Sequence, residues 1–118
     1  MEIAFRSDVP GALPLDVGRT LFRLLQEALQ NASKHSGVKR VDVQLCEDSG
    51  EIHLIVSDTG RGFDVEAALQ GKGLGLTSMR ERVRLMNGTM AIDSMPMGGT
   101  NIHVRVPHAS EREYELAG

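Results

Sequence analysis

The alternation of apolar and polar positions divides the chain into a short series of elements. Ile3 and Phe5 alternate with polar neighbours, which predicts a short strand at the N-terminus. "DVPGALP" reads as a loop punctuated by Pro10, Gly11 and Pro14. From Asp16 the apolar spacing becomes helical, with Asp16 a candidate N-cap and Gly37 placed to end the helix. About 20 residues at ~1.5 Å each give a helix of roughly 30 Å. Its wide apolar stripe comprises Leu21, Phe22, Leu24, Leu25, Ala28, Leu29 and Ala32.

The period then falls to two. Val41, Val43 and Leu45 alternate with Asp42 and Gln44, and "EIHLIVSD" forms a second strand after a turn at Asp48-Ser49-Gly50. A glycine-rich segment runs from Gly60 to Gly75, with one helical turn expected in "DVEAALQ". In "LTSMRERVRLMN", Leu76, Met79, Val83 and Met86 share a helical face, and Gly88 ends the helix. "TMAIDSM" and "TNIHVRV" are two further strands, joined through Pro96 and "GG". The order strand, helix, strand, strand, helix, strand, strand predicts a two-layer α/β (α+β) sandwich, a mixed sheet with its helices on one face. Residues 1–107 form the expected domain and 108–118 a polar tail.

Composition narrows this only slightly. A chain of 118 residues holds one domain with one modest core. Apolar and charged fractions of 41% and 25% are those of a globular protein. The net charge of −3, with no long basic run, argues against direct nucleic-acid binding. Cys46 is the only cysteine, so no internal disulfide forms, consistent with a reducing compartment. No apolar run nears the ~20 residues that span a bilayer, so no direct membrane contact is expected.

Candidate chemistry lies where polar residues interrupt these patterns. Glu27, Asn31, Lys34 and His35 border the apolar stripe of the first helix instead of standing opposite it. Such positions are either half-solvated or line a pocket. Asp58 continues the inward row Ile52, Leu54, Val56, and Thr100 continues the row Ile102, Val104, Val106. An inward carboxylate is costly unless donors reach it. Asp58 either caps the turn "DTGRG" as an Asx turn or accepts from a ligand amine such as that of adenine. Gly60 and Gly62 allow a flat ring to approach the backbone, or simply permit positive φ. "GKGLGL", with Lys72, Gly73, Leu74, Gly75 and Leu76, leads into a helix whose free N–H groups suit phosphate. It is also what a flexible loop before a helix looks like. Neither a P-loop nor a Rossmann turn is present.

Taken in order, "QEALQNASKHS", "DTGRGF", "GKGLGLTSMRERV" and "GGT" resemble the ATP-binding catalytic domain of bacterial two-component sensor histidine kinases. The likeness is greatest to the nitrate-sensor and desaturase-sensor branch and covers roughly Leu21 to Val106. It implies the Bergerat ATP-binding fold, shared with gyrase, the heat-shock-ninety chaperones and the MutL proteins. Gyrase-like and MutL-like relatives carry Asp three residues after the asparagine, where this chain has Lys34. The branch's phosphoacceptor histidine is followed by an acid, whereas His35, His53, His103 and His108 precede Ser36, Leu54, Val104 and Ala109. An excised catalytic domain is therefore expected, monomeric in isolation and cytoplasmic, as the inner part of a membrane-bound sensor.

The roles that follow are implied by the resemblance. Asn31 ligates magnesium, and Glu27 orients or deprotonates the attacking histidine of a separate dimerisation/phosphoacceptor domain. Lys34, His35 and Lys72 balance the phosphate charge of ATP. Asp58 reads adenine, with Gly60, Gly62 and Thr100 shaping that end of the pocket. Gly73, Leu74, Gly75 and Leu76 hold the phosphates as the lid closes. The phosphoryl group then passes to a response regulator with a helix-turn-helix output. Two readings compete: a stand-alone anti-sigma-type serine kinase of the same fold, and a nucleotide-binding module without transferase activity.

Overall fold

The computed structural model of the chain describes residues 2–9, 13–35, 40–60, 76–94 and 99–107, apart from the side chains of residues 31, 33–35 and 76. Gly37, the turn expected in "DVEAALQ", Pro96 and the tail from residue 108 lie outside the described residues. The strands are β1 (Glu2–Asp8), β2 (Arg40–Asp48), β3 (Glu51–Asp58), β4 (Thr89–Ser94) and β5 (Thr100–Pro107). The helices among the described residues are α1 (Leu15–His35) and α2 (Leu76–Leu85). The strands form one sheet in the order β1-β2-β3-β5-β4, with β1 parallel to β2 and every other pair antiparallel. This is the expected α+β fold, a five-stranded mixed sheet with its helices on one face.

The two-residue period decides which sheet face is covered. Val41 and Val43 of β2, Ile52, Leu54 and Val56 of β3, and Ile102, Val104 and Val106 of β5 are all buried. They meet Val17, Leu21, Leu24, Ala28 and Ala32 of α1 and Met79 and Val83 of α2 in a single core. The opposite sheet face carries Asp42, Gln44, His53, Asn101, His103 and Arg105, which are exposed or half-buried.

Two local expectations need correction, and a third gains a detail. Asp16 is not the N-cap: the Gly18 N–H donates to the Pro14 carbonyl, so Pro14 holds the cap position. Asp16 sits inside the first turn, where its Oδ1 accepts from the Val17 N–H at 2.9 Å and its charge favours the positive helix end. Phe22 does not join the core: it lies on the flank of the stripe facing the edge strand β1, where an apolar cleft separates helix and strand, and its side chain is exposed. α2 closes at Gly88, as expected, with the left-handed conformation one residue earlier, at Asn87, with φ 59°. Asn87 N–H donates to the Arg84 carbonyl and Gly88 N–H to the Val83 carbonyl, a Schellman closure with Asn87 at C′. Gly88 is still required, since a Cβ there would strike the Arg105 carbonyl of β5.

The turn between β2 and β3 is a two-residue loop with Ser49 at φ 53° and Gly50 at φ 78°. Positive φ at both positions marks type I′, whose twist matches that of the flanking strands.

Chain direction sets where the two halves of the expected site fall. A parallel β1–β2 pair needs a crossover, and α1 supplies it. α1 begins shortly after Asp8, at the end of β1 that lies against Cys46, and must return to Arg40, which lies against Glu2. Its C-terminal half therefore runs toward the end of the sheet where Val41, Asp58 and Thr100 stand abreast. α2, about 15 Å long, finishes at the tight turn into Thr89, which pairs with Arg105 at the other end of β5. Its N-terminus is thereby directed back toward Thr100.

Candidate functional site

At that end of the sheet one row crosses four strands. Val41 faces Asp58, Asp58 faces Thr100, and Thr100 faces Ser94. By strand parity all four point to the helix-covered side. Hydrophobic burial ends here, and the row turns polar just as it leaves the core.

Asp58 is half-buried, and its Oδ1 accepts from the Gly60 N–H at 2.9 Å. This is the Asx turn, one of the two readings of Asp58 left open by the sequence. It uses one carboxylate oxygen and fixes the plane of the group. Among the described residues no donor reaches Oδ2, so an acceptor remains on the helix side of the sheet.

Thr100 is the only buried polar residue among those described, at 8% exposure. Its Oγ1 lies 2.9 Å from Ser94 Oγ, and Ser94 Oγ also donates to the Gly99 carbonyl at 3.0 Å. Since Ser94 spends its proton on Gly99, Thr100 donates to Ser94, which turns a lone pair of Thr100 outward. Gly99 locks this corner. Its φ is +78°, and a Cβ would lie 2.5 Å from the Asp58 carbonyl oxygen and 3.2 Å from Thr59 Cα. Only glycine lets β5 start this close to the end of β3.

The remaining expected residues fall into three groups. Glu27 is half-buried on α1, between the buried Leu24 and Ala28, in the half of the helix that runs toward Asp58. Asn31, Lys34 and His35 follow on the same helix; their backbone is helical and their side chains lie outside the described residues. Gly62, Lys72, Gly73, Leu74 and Gly75 lie outside the described residues altogether, and Leu76 opens α2. The fold thus brings Asp58, Gly60 and Thr100 together and directs Glu27 and the α2 N-terminus to the same end.

Sequence reasoning passed over Ser94 and Gly99. Ser94 was detectable by the parity that singled out Asp58 and Thr100, since it continues the row Met90, Ile92. Gly99 is in the "GGT" motif, but its role depends on the approach of β5 to β3, which no local pattern carries.

Residues 16–110 match the family described as histidine kinase-, DNA gyrase B- and HSP90-like ATPase. The chain is 44% identical over 89 residues to the signal transduction histidine-protein kinase/phosphatase DegS of Bacillus subtilis, covering 74% of this chain and 23% of that protein. It is 36% identical over 103 residues to the sensor protein VraS of Staphylococcus aureus, covering 87% of this chain and 29% of that protein. The chain thus spans about a quarter of the length of the curated relatives it matches. Among solved structures, the blue-light activated histidine kinase of Erythrobacter litoralis superposes with a TM-score of 0.74 at 19% identity, over 95% of this chain and 37% of that one. The ATP-binding domain of PrrB from Mycobacterium tuberculosis gives a TM-score of 0.66 at 22% identity, over 93% of this chain and 82% of that one. At these identities the structural likeness speaks to the fold, while the family match and the two relatives place the sequence. The chain belongs to the HATPase_c family of histidine kinase-, DNA gyrase B- and HSP90-like ATPases, on the side of the sensor histidine kinases.

Proposed function

We propose that this domain binds Mg-ATP and presents its γ-phosphoryl group to a histidine on a separate dimerisation/phosphoacceptor domain of a two-component sensor kinase. The observation that carries the reading is the Asp58 carboxylate: one oxygen is anchored by Gly60 N–H, and the other lies open beside the outward lone pair of Thr100. A fixed acceptor at the mouth of an apolar core fits the exocyclic amine of adenine. Apolar Val41 and Val56 behind it exclude the water that would compete.

Bound ATP would supply the phosphoryl group, and magnesium would neutralise charge on its phosphates. In this reading Asn31 is the magnesium ligand. One protein oxygen suffices for a cation that keeps several waters and phosphate oxygens in its shell, and no cluster of three or more metal-ligating side chains exists among the described residues. Glu27 orients the incoming imidazole and takes its proton. The N–H groups opening α2, with Lys34, His35 and Lys72, hold the phosphates. Gly60, Gly62, Gly73, Leu74, Gly75 and Leu76 line the path between base and phosphate. The contribution of the chain is positioning and charge stabilisation.

In the intact kinase the phosphoryl group passes to a response regulator with a helix-turn-helix output, and this domain works in the cytoplasm. The test is calorimetric titration with ATP, with and without magnesium, followed by mixing with the matching acceptor domain and γ-labelled ATP. Magnesium-dependent binding and label on the acceptor histidine are expected. Absence of ATP binding would overturn the reading. Label on a serine of a sigma-factor partner would replace it with the anti-sigma-type kinase.

A further inference from the structure

A hydroxyl group is an ambiguous reader of a ligand, because it can donate or accept. The corner where β4 meets β5 removes that ambiguity at Thr100. Ser94 ends β4 and stands opposite Thr100, the first residue of β5. The Gly99 carbonyl can only accept, so the proton in its 3.0 Å bond with Ser94 Oγ is the serine's. A hydroxyl has one proton. The 2.9 Å contact between Ser94 Oγ and Thr100 Oγ1 is therefore filled from Thr100. This relay of two bonds fixes the direction of the Thr100 O–H bond. Thr100 is buried, so little water competes for it, and Gly99 is itself held against the end of β3.

The consequence reaches Asp58, the cross-strand neighbour of Thr100 on the other side. Asp58 Oδ1 takes the Gly60 N–H, and among the described residues no donor reaches Oδ2. Two acceptors then stand abreast, in register, with no proton offered by either. Such a pair suits a ligand edge that donates and resists one that accepts, since an acceptor placed there loses its water and gains no partner. The 6-amino group of adenine donates. The 6-oxo group of guanine or hypoxanthine accepts in the same place. Asp58 brings this preference by its own chemistry. Thr100 shares it only while its proton is drawn toward β4.

We infer that Ser94 is a positioning residue for base selection: by accepting the Thr100 hydroxyl proton it keeps that hydroxyl an acceptor, and so favours 6-amino over 6-oxo purine nucleotides. Ser94 acts through Thr100 and need not touch the nucleotide. Its role rests on the adenine reading of Asp58 and adds the residue that polarises the second half of the readout. Without the Ser94 oxygen, the Thr100 proton is released and can turn toward a ligand carbonyl. A 6-oxo purine then gains a donor, and a 6-amino purine loses a fixed acceptor.

The test is calorimetric titration of the chain with Mg-ATP and with Mg-ITP, its hypoxanthine counterpart, which share sugar and phosphates and differ at the 6-position edge of the base. Ser94→Ala is expected to lower the ratio of ATP to ITP affinity about fivefold, the worth of one neutral hydrogen bond. Ser94→Thr, which retains the oxygen, should keep the parent ratio. Thr100→Val removes the hydroxyl altogether and should lower the ratio to a similar degree. Adding Ser94→Ala to Thr100→Val should lower it no further, because the two act as one unit. A serine that merely braces the β4–β5 corner would weaken both nucleotides equally, with a lower unfolding temperature and an unchanged ratio, and that result would overturn the inference. So would independent, additive effects in the double variant. Should Ser94→Ala not fold, Thr100→Val decides alone, and an unchanged ratio there rejects the role. A parent chain that binds no ATP, or binds ATP and ITP alike, takes down the adenine reading and this role together. A parent preference for ATP that survives Ser94→Ala removes this role alone.

Discussion

His53 Nδ1 and His103 Nε2 lie 2.8 Å apart across β3 and β5, on the sheet face that neither helix covers. The other nitrogen of His53, Nε2, is buried without a hydrogen-bond partner among the described residues. An unpaired acceptor costs less than an unpaired N–H in such a place. The pair therefore adopts the arrangement in which His53 Nδ1–H donates to His103 Nε2. A further proton on His103 would set two N–H groups head to head.

This geometry gives the domain an acid-sensitive contribution to stability. Burial holds the His103 imidazole below its ordinary value of 6.5, helped by repulsion from His53 and Arg105 and opposed by Glu51. As pH falls, the unfolded chain takes up this proton before the folded chain does. The contribution is complete above about pH 6.5 and is lost as pH drops from there through the folded-state value. His103→Gln keeps an acceptor for His53 without the titration. Urea unfolding at about pH 7.5 and about pH 5.5 should show a smaller loss of stability in the variant than in the parent. Equal losses would assign the acid sensitivity elsewhere.

Two glycines should respond to alanine in opposite directions. Gly99→Ala forces a side chain into a left-handed backbone and against the Asp58 carbonyl. A loss of about 2–4 kcal/mol in chemical denaturation is expected, with weakened nucleotide binding, because the same contact holds Asp58 beside Thr100. Gly18→Ala meets open space inside a helix and should gain about 0.5–1 kcal/mol.

Ser49 bears positive φ in a type I′ turn, a conformation that asparagine tolerates better. Ser49→Asn is expected to stabilise the domain by about 0.5 kcal/mol, read from the urea midpoint at constant slope. A lower midpoint would mean that the Ser49 hydroxyl, 3.2 Å from Asp48 Oδ1, outweighs the backbone preference.

Asp58→Asn separates the two uses of this carboxylate. The amide oxygen still accepts from Gly60 N–H, so the turn and the stability should survive. In the proposed site the amide NH2 would face the adenine amine, donor against donor. ATP binding by calorimetry should weaken at least tenfold, about 1.4 kcal/mol, with the unfolding midpoint unchanged. A parallel fall in both would make Asp58 a turn residue and nothing more.

The order of elements and the covered face were legible because each strand of the core keeps its period and its turns carry their own chemistry, as at Ser49-Gly50. Asp58 and Thr100 were legible for a related reason: a polar residue that continues an apolar row announces a change of environment. Phe22 misled because a helical wheel shows which residues are apolar but not how closely the neighbouring edge strand packs against them. Asp16 misled because capping propensity does not say which carbonyl accepts the first helical bond, and Pro14 supplied it. Asn87 took the left-handed position beside a glycine because Gly88 was already committed to passing close under Arg105. Such close approaches arise between strands distant in sequence, and no local window contains them.

The tight turn at Ser49-Gly50 also bears on the order in which the molecule assembles. β2 and β3 zip from adjacent residues, whereas Glu2 must find Arg40 with a whole helix intervening. Loop closure therefore favours the hairpin as the early nucleus and leaves β1 and the crossover for a later step. Kinetic φ-values near one for truncations in the hairpin and near zero for Ala4→Gly in β1 would describe such a route. The half of α1 that bears Glu27 would then reach Asp58 among the last acts of folding, making ligand competence a reporter of the fully formed state.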